Sequence, residues 1–144
     1  MGTSSRMTVA THALAWMARF CPGRSGGIVT SEQIATSVNT NPVVIRRALG
    51  SLRDAGLVES QRGQGAGWRL ARAPESITLR DVYLAVEPEP LIALHSSPPN
   101  QECPVGRAVP SVLREVYDRA EESMRAELAA VTVADVARAT IART

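Results

Sequence analysis

In the segment RMTVATHALAWMARF, residues 6–20, apolar side chains recur at Ala10, Ala13, Leu14 and Met17. That i, i+3, i+4, i+7 spacing puts them on one face of a helix, and the serines just before it suit a helix start. The pattern then stops, because CPGRSGG brings a proline and three glycines into seven residues. Ile28-Val29 is long enough only for a very short strand. Thr30-x-x-Gln33 is a capping-box pattern and opens a short helix through Val38, with Ile34, Ala35 and Val38 on its buried face. Asn41 is a favourable N-cap and Pro42 suits the first helical position. The helix they open runs to about Ala55, buries Ile45, Ala48, Leu49 and Leu52, and stops at Gly56.

The period then changes from helix to strand. Leu57-Val58-Glu59-Ser60 reads as a strand, RGQGAG as a glycine-rich turn, and Trp68-Arg69-Leu70 as the returning strand. Thr78-x-x-Asp81 caps another short helix, which Pro88 ends. The least regular segment is PEPLIALHSSPPNQECP, residues 88–104. A long helix follows, expected from Val109 or Pro110 to Val131. Its apolar positions are Val109, Val112, Leu113, Val116, Ala120, Met124, Leu128 and Val131, and it is roughly 33 Å long at the helical rise. Thr132-x-x-Asp135 caps a last short helix.

Two short helices joined by a tight turn, the second well capped, form the helix-turn-helix pattern, and a hairpin directly after it is a wing. The expected fold class is therefore mainly α with a small β-hairpin wing. It comprises a winged helix-turn-helix domain and a long C-terminal dimerisation helix. The expected organisation is a DNA-binding domain over 6–87, a loop with a candidate sensor over 88–108, and the dimerisation helix with a short terminal helix over 109–144. A length of 144 residues suits one such module, and 44% hydrophobic residues suffice for a core. Aromatics are only 3%, so that core is built from Ala, Val, Leu and Ile, a palette for closely packed helices.

Charge separates the two halves. Residues 1–72 hold 9 Arg and 3 acidic residues, net +6, whereas residues 73–144 hold 7 Arg and 11 acidic residues, net −4. A basic half of this kind meets a polyanion. In a helix-turn-helix the second helix enters the DNA major groove. With Ile45, Ala48, Leu49 and Leu52 buried, the opposite face carries Val43, Arg46, Arg47, Gly50 and Ser51. Arginine pairs with guanine O6 and N7, and Val43 or Val44 near the helix start meets a thymine methyl. Arg62 stands at the hairpin tip between glycines, suited to the minor groove, and Gly63 and Gly65 let the backbone turn tightly and approach DNA. These nine residues are the candidate DNA-binding set.

The run LRDAGLVES, the wing RGQGAGW and the start ITLRDVYLAVE together resemble the signature of the Rrf2 family of bacterial transcriptional regulators. The resemblance extends from about residue 6 to the Thr-x-Ala-Asp near position 135. It implies a winged-helix homodimer, most often a repressor, with the long helix as the dimer interface. It also implies that Val44, Arg46, Arg47 and Arg62 fall at DNA-contacting positions. Gly65-Ala66-Gly67 replaces one of three family glycines by Ala, for which a small effect on wing geometry is expected. Many members hold an iron–sulfur cluster through three cysteines in the loop before the dimer helix. This chain has one there, Cys103, so no such cluster and no cofactor is expected. An unorthodox site drawing on His12 is the alternative, although a histidine on a mostly apolar helix is commonly packed or hydrogen-bonded.

Cys103 has its own case as a redox sensor. It precedes Pro104 near a helix start, where the helix dipole and Arg107 lower a thiol pKa while Glu102 opposes them. The alternative is an inert cysteine tucked under the loop, and control by a small effector near Leu91-Ile92-Ala93-Leu94 is a further one. Cys21, beside Pro22, reads as structural, and the two cysteines lack the spacing of a zinc site or disulfide framework. Catalytic motifs of the G-x-S-x-G, P-loop or HExxH type do not occur, and His95, Ser96 and Glu102 lie in a Pro-rich loop without a scaffold, so no enzyme is expected. No run of 18 apolar residues exists, and MGTSSRMTVA lacks the plan of a signal peptide, so a cytoplasmic location away from membranes is expected. The expected partners are double-stranded DNA and a second copy of the chain, with a protein-interaction module reusing the winged helix as the competing reading.

Overall fold

The computed structural model describes residues 4–144; residues 1–3, the start of the MGTSSRMTVA stretch, lie outside the described residues. Among the described residues, six α-helices and one hairpin follow in order: α1 (Arg6–Phe20), α2 (Ser31–Val38), α3 (Pro42–Asp54), β1 (Val58–Gln61), β2 (Gly67–Leu70), α4 (Leu79–Val86), α5 (Pro104–Ala129) and α6 (Val133–Ala142). The predicted stripe of α1 is buried in full at Ala10, Ala13, Leu14 and Met17. That helix forms the centre of the body, with α2, α3, α4 and α6 packed around it. Ile34 from α2 and Ile45, Leu49 and Leu52 from α3 complete the same core, joined by Val82 and Val133.

Local hydrogen bonds decide where the helices begin. Thr30, Thr78 and Thr132 each accept from the backbone N–H three residues on, and Gln33, Asp81 and Asp135 each accept the reciprocal bond. Asn41 caps α3 by accepting from the Val43 N–H at 2.8 Å. The Thr132 backbone and side-chain hydrogen bonds hold the Asp135 carboxyl below the usual carboxylate range. Thr132→Ala removes one half of that box at the helix that closes over α1. Thermal unfolding is expected to show a loss of about 1 kcal/mol; an unchanged midpoint would mean that α6 does not contribute to the body.

The wing is an antiparallel hairpin with Val58 opposite Leu70 and Gln61 opposite Gly67. Ile28-Val29 contributes a single bridge rather than a strand: the Val29 N–H donates to the Trp68 carbonyl at 2.9 Å, and the Trp68 N–H returns the bond at 2.7 Å. This third segment ties the wing to α2 through the N-cap Thr30. Gly63 and Gly65 take φ of 80° and 76°, the left-handed region that favours glycine. Ala66 does not, so alanine at that position leaves the turn intact. Gly67 is required for space instead, since a Cβ there would overlap the Val29 carbonyl and lie 2.6 Å from Ile28 Cγ2.

The long helix departs from expectation at both ends. It starts at Pro104, not at Val109 or Pro110, and ends at Ala129, not at Val131. Two prolines competed for the first helical position, and the loop decides between them. The Cys103 N–H donates to the Asn100 carbonyl, the Glu102 N–H donates to Asn100 Oδ1, and Arg107 Nη1 donates to the Gln101 carbonyl at 3.1 Å. Gly106 lets that loop lie against the helix, because a Cβ would sit 2.6 Å from the Asn100 carbonyl oxygen. Pro110 is then carried inside the helix at the loss of one ladder bond. With 26 residues, α5 spans about 39 Å. Its C-terminal end is anchored where Leu79 N–H donates to the Val131 carbonyl and Val133 N–H donates to the Ile77 carbonyl. No residue of α5 is buried.

Candidate nucleic-acid interface

The exposed face of α3 lies opposite Ile45, Leu49 and Leu52, which are fully buried. Val43 and Val44 stand out at its N-terminal end, 43% and 39% exposed. Arg46 and Arg47 are exposed beside them, whereas Gly50 and Ser51 are half-buried. Around Gly50 the nearest atom to an added Cβ would be Arg53 Nη2 at 3.9 Å, so nothing within the protein demands glycine there. An open glycine on a helix surface is suited to close approach by another molecule's backbone.

The two adjacent arginines leave α3 on opposite sides. Arg46 Nη1 turns toward α2 and donates to Ser31 Oγ at 3.3 Å and Glu32 Oε1 at 3.2 Å. Its side chain remains 48% exposed and that of Glu32 65% exposed. Such an exposed pair contributes only about 0–1 kcal/mol, so a guanine or a phosphate can displace it. Arg47 makes no ion pair among the described residues and faces a cleft between α3, the start of α1 and the end of α4. The wing arginine Arg62 is likewise unpaired among the described residues and exposed. It borders a second depression, about 440 Å³, between the wing, Glu32 and Arg53.

Arg53 escaped the sequence reading. Its guanidinium lies 5.8 Å from the Trp68 ring centroid, bridging α3 to the wing, and its Nε is 3.6 Å from Asp54 Oδ1. The signal was present: Arg46, Gly50 and Arg53 follow at i, i+4, i+7 and share one helical face. Arg69, by contrast, is matched across the hairpin by Glu59 at 2.7 Å. Arg53 and Arg62 therefore line the depression between helix and wing, and Arg46 reaches only its Ser31 and Glu32.

The residues weighed as sensors or ligands are dispersed. Cys103 is exposed and occupies the N-cap of α5 without a side-chain capping bond. Cys21 is buried in the core, and burial pushes its thiol pKa up, against a smaller lowering by Arg24. His12 Nε2 is 2.8 Å from Ser37 Oγ, a hydrogen bond between α1 and α2. Leu91 and Ile92 are surface residues, 62% and 44% exposed. Among the described residues no group of three or more His, Cys, Asp or Glu side chains is placed to hold a metal ion. Among the described residues, no helix is long and apolar enough to cross a membrane.

A capped helix presenting arginines, preceded by a supporting helix and followed by a glycine-turn wing, is the winged-helix arrangement of DNA-binding proteins. The chain belongs to the Rrf2 family, described as iron-dependent transcriptional regulators, which matches residues 3–139. It is 38% identical over 134 residues to YwnA of Bacillus subtilis (strain 168), named for an HTH-type transcriptional regulator, covering 92% of this chain and 95% of that one. A crystal structure titled as a DNA-binding protein is 34% identical, with a TM-score of 0.71 over 92% of this chain and 98% of that one. A transcriptional regulator from Lactobacillus plantarum shares the fold with a TM-score of 0.75 at 24% identity, over 92% of this chain and 87% of that one. Among the described residues, the side chains of this chain do not gather into a site for the iron that the family's description names. One exposed cysteine, one buried cysteine and a histidine bonded to a serine supply no clustered donor set.

Proposed function

We propose that the protein is a sequence-specific regulator that binds operator DNA as a homodimer. The DNA-binding unit spans 6–87, the sensor loop 88–108 and the dimerisation segment 109–144, with the helix itself reaching back to Pro104. The observation that supports this reading best is the exposed face of α3, which leaves Val43, Val44, Arg46 and Arg47 open to solvent and is followed by a glycine-turn wing that exposes Arg62. Gly50 and Ser51 lie along the same helix, and Gly63 and Gly65 shape the turn that presents Arg62. Val105, Val109, Val112 and Val116 recur at alternate spacings of four and three along α5, the seam of a helix that pairs with its own copy. Repression is the simplest mode, since it requires only occupancy of an operator.

The test is a fluorescence-anisotropy titration against the intergenic DNA upstream of the protein's own gene. Arg46→Ala is expected to lose about 1–3 kcal/mol of discrimination at a guanine-bearing position. Arg62→Ala should weaken binding to all sequences and lower the log–log salt slope by about one. Binding that ignores salt would favour a protein-interaction module instead. Wild-type behaviour of both variants would remove the proposed surface.

Cys103 supports a thiol-based switch, because its sulfur is exposed at the N-terminus of a 26-residue helix. A peroxide transfers one oxygen to the thiolate sulfur, forming a sulfenic acid while the second peroxide oxygen leaves as water after protonation. Oxidation with hydrogen peroxide is expected to release the operator, and Cys103→Ser to abolish the release. If reduced and oxidised protein bind alike, Cys103 is not the switch.

A further inference from the structure

The cleft that Arg47 faces shares Val44, Arg47, Gly50 and Ser51 with the proposed DNA-contacting face and adds walls that lie outside it. It encloses about 590 Å³ between the first turns of α1, the outer flank of α3 and the last turn of α4. Its walls are mixed: Arg6, Arg47 and Arg53 bring three guanidinium groups, while Val9, Val44, Ala48 and Val86 supply an apolar floor. A volume within the usual range for small-molecule sites, an apolar floor and a few convergent charged groups are the marks of a pocket for a small ligand. No residue of α5 lines it.

The balance of charge gives the ligand's sign. Arg6 and Arg47 make no ion pair among the described residues. The one acid on the walls, Asp54, is held by Arg53. Just outside, Glu87 accepts from Ser4 Oγ at 3.0 Å. The start of α1 adds to the positive field, because Ser5 at its N-cap position makes no side-chain capping bond and the first turn holds no acidic residue. Helices α2, α3, α4 and α6 are all capped by side chains.

From this geometry we infer that the cleft binds a small organic carboxylate with a short apolar body, and that its binding withdraws Arg47 from DNA. Two arginines hold the carboxylate oxygens by charge-assisted hydrogen bonds. The valines and Ala48 take the hydrocarbon part, which a bare phosphate does not possess. An anion gripping Arg47 then competes with DNA for the same guanidinium. This inference rests on the DNA-binding reading only in its second half, and the experiment separates the two.

Titration of the DNA-free full-length protein with hexanoate, followed by 1H–15N chemical shifts, reads the site directly. Shifts are expected at Arg6, Val9, Val44, Arg47 and Val86, with little response to hexanol, which lacks the charge, or to inorganic phosphate, which lacks the apolar body. Arg6→Ala and Arg47→Ala should each weaken hexanoate binding roughly tenfold. Equal responses to phosphate and hexanoate would show a surface that senses charge alone and would overturn the carboxylate site, as would shifts unaffected by either substitution. A second titration, with operator DNA bound, should show hexanoate raising the apparent Kd of DNA. Hexanoate that binds without moving the DNA affinity overturns the competition, and DNA that never binds overturns the regulator reading while leaving the site in place.

Discussion

Val112→Glu combined with Val116→Glu is expected to convert the protein to a monomer and to cost at least about 100-fold in affinity for an operator with two half-sites. Both valines point away from the body, 55% and 44% exposed, on a helix with no buried residue. A 26-residue helix of this composition does not maintain an apolar stripe for water. In the proposed homodimer, pairing with a second α5 would cover Val105, Val109, Val112 and Val116 together. Two glutamates per copy placed in that seam bring four negative charges into contact, and their desolvation exceeds any gain from the remaining packing. The substituted side chains are exposed in the single chain, so the fold of each copy should persist. Sedimentation velocity measures the state and anisotropy the affinity. A double variant that still sediments as a dimer would place the interface elsewhere.

Gly67→Val should produce the largest loss of stability among single changes in the wing. The bridge between Val29 and Trp68 brings two backbones together directly beside Gly67, where a side chain would meet the Val29 carbonyl and Ile28. Relieving the overlap means parting the bridge and its two hydrogen bonds, at a cost of about 2–4 kcal/mol. For a chain of this size the midpoint should fall by roughly 5–15 °C. The effect reaches DNA binding too, since the bridge holds the wing, and with it Arg62, at a set distance from α2 and α3. Differential scanning calorimetry and anisotropy on the same variant test both parts. An unaltered midpoint with unaltered affinity would falsify the role given to the bridge.

The helix starts were legible in the sequence because a cap is a local device. Thr30, Thr78 and Thr132 bond to groups three residues away, so the four-residue pattern carries the physics without help from the rest of the chain. The buried stripe of α1 was equally legible, as was that of α3 at Ile45, Leu49 and Leu52, while Ala48 is only half-buried, since helical periodicity decides which side chains share a face. The hairpin followed from its glycines, two of which adopt positive φ. The start of α5 was not legible. Pro104 and Pro110 are equally acceptable first residues, and only the packing of Asn100 against Gly106 selects the earlier one.

Two matters at the proposed interface were settled by tertiary structure alone. Arg46 and Arg47 are neighbours of one type in sequence, yet Arg46 is held by Glu32 and Ser31 on α2 while Arg47 is left open to the cleft. Successive helical residues diverge by about 100°, and which one meets a partner depends on how α2 and α3 cross. The cleft itself joins Arg6, Arg47 and Val86, residues from three separate helices. By itself the chain determined its elements, their buried faces and the residue types available for chemistry, because these rest on bonds and periods spanning a few residues. Which charges remain unpaired, and which distant side chains share a cavity, were decided by helix packing, because they depend on distances between elements that no local pattern encodes.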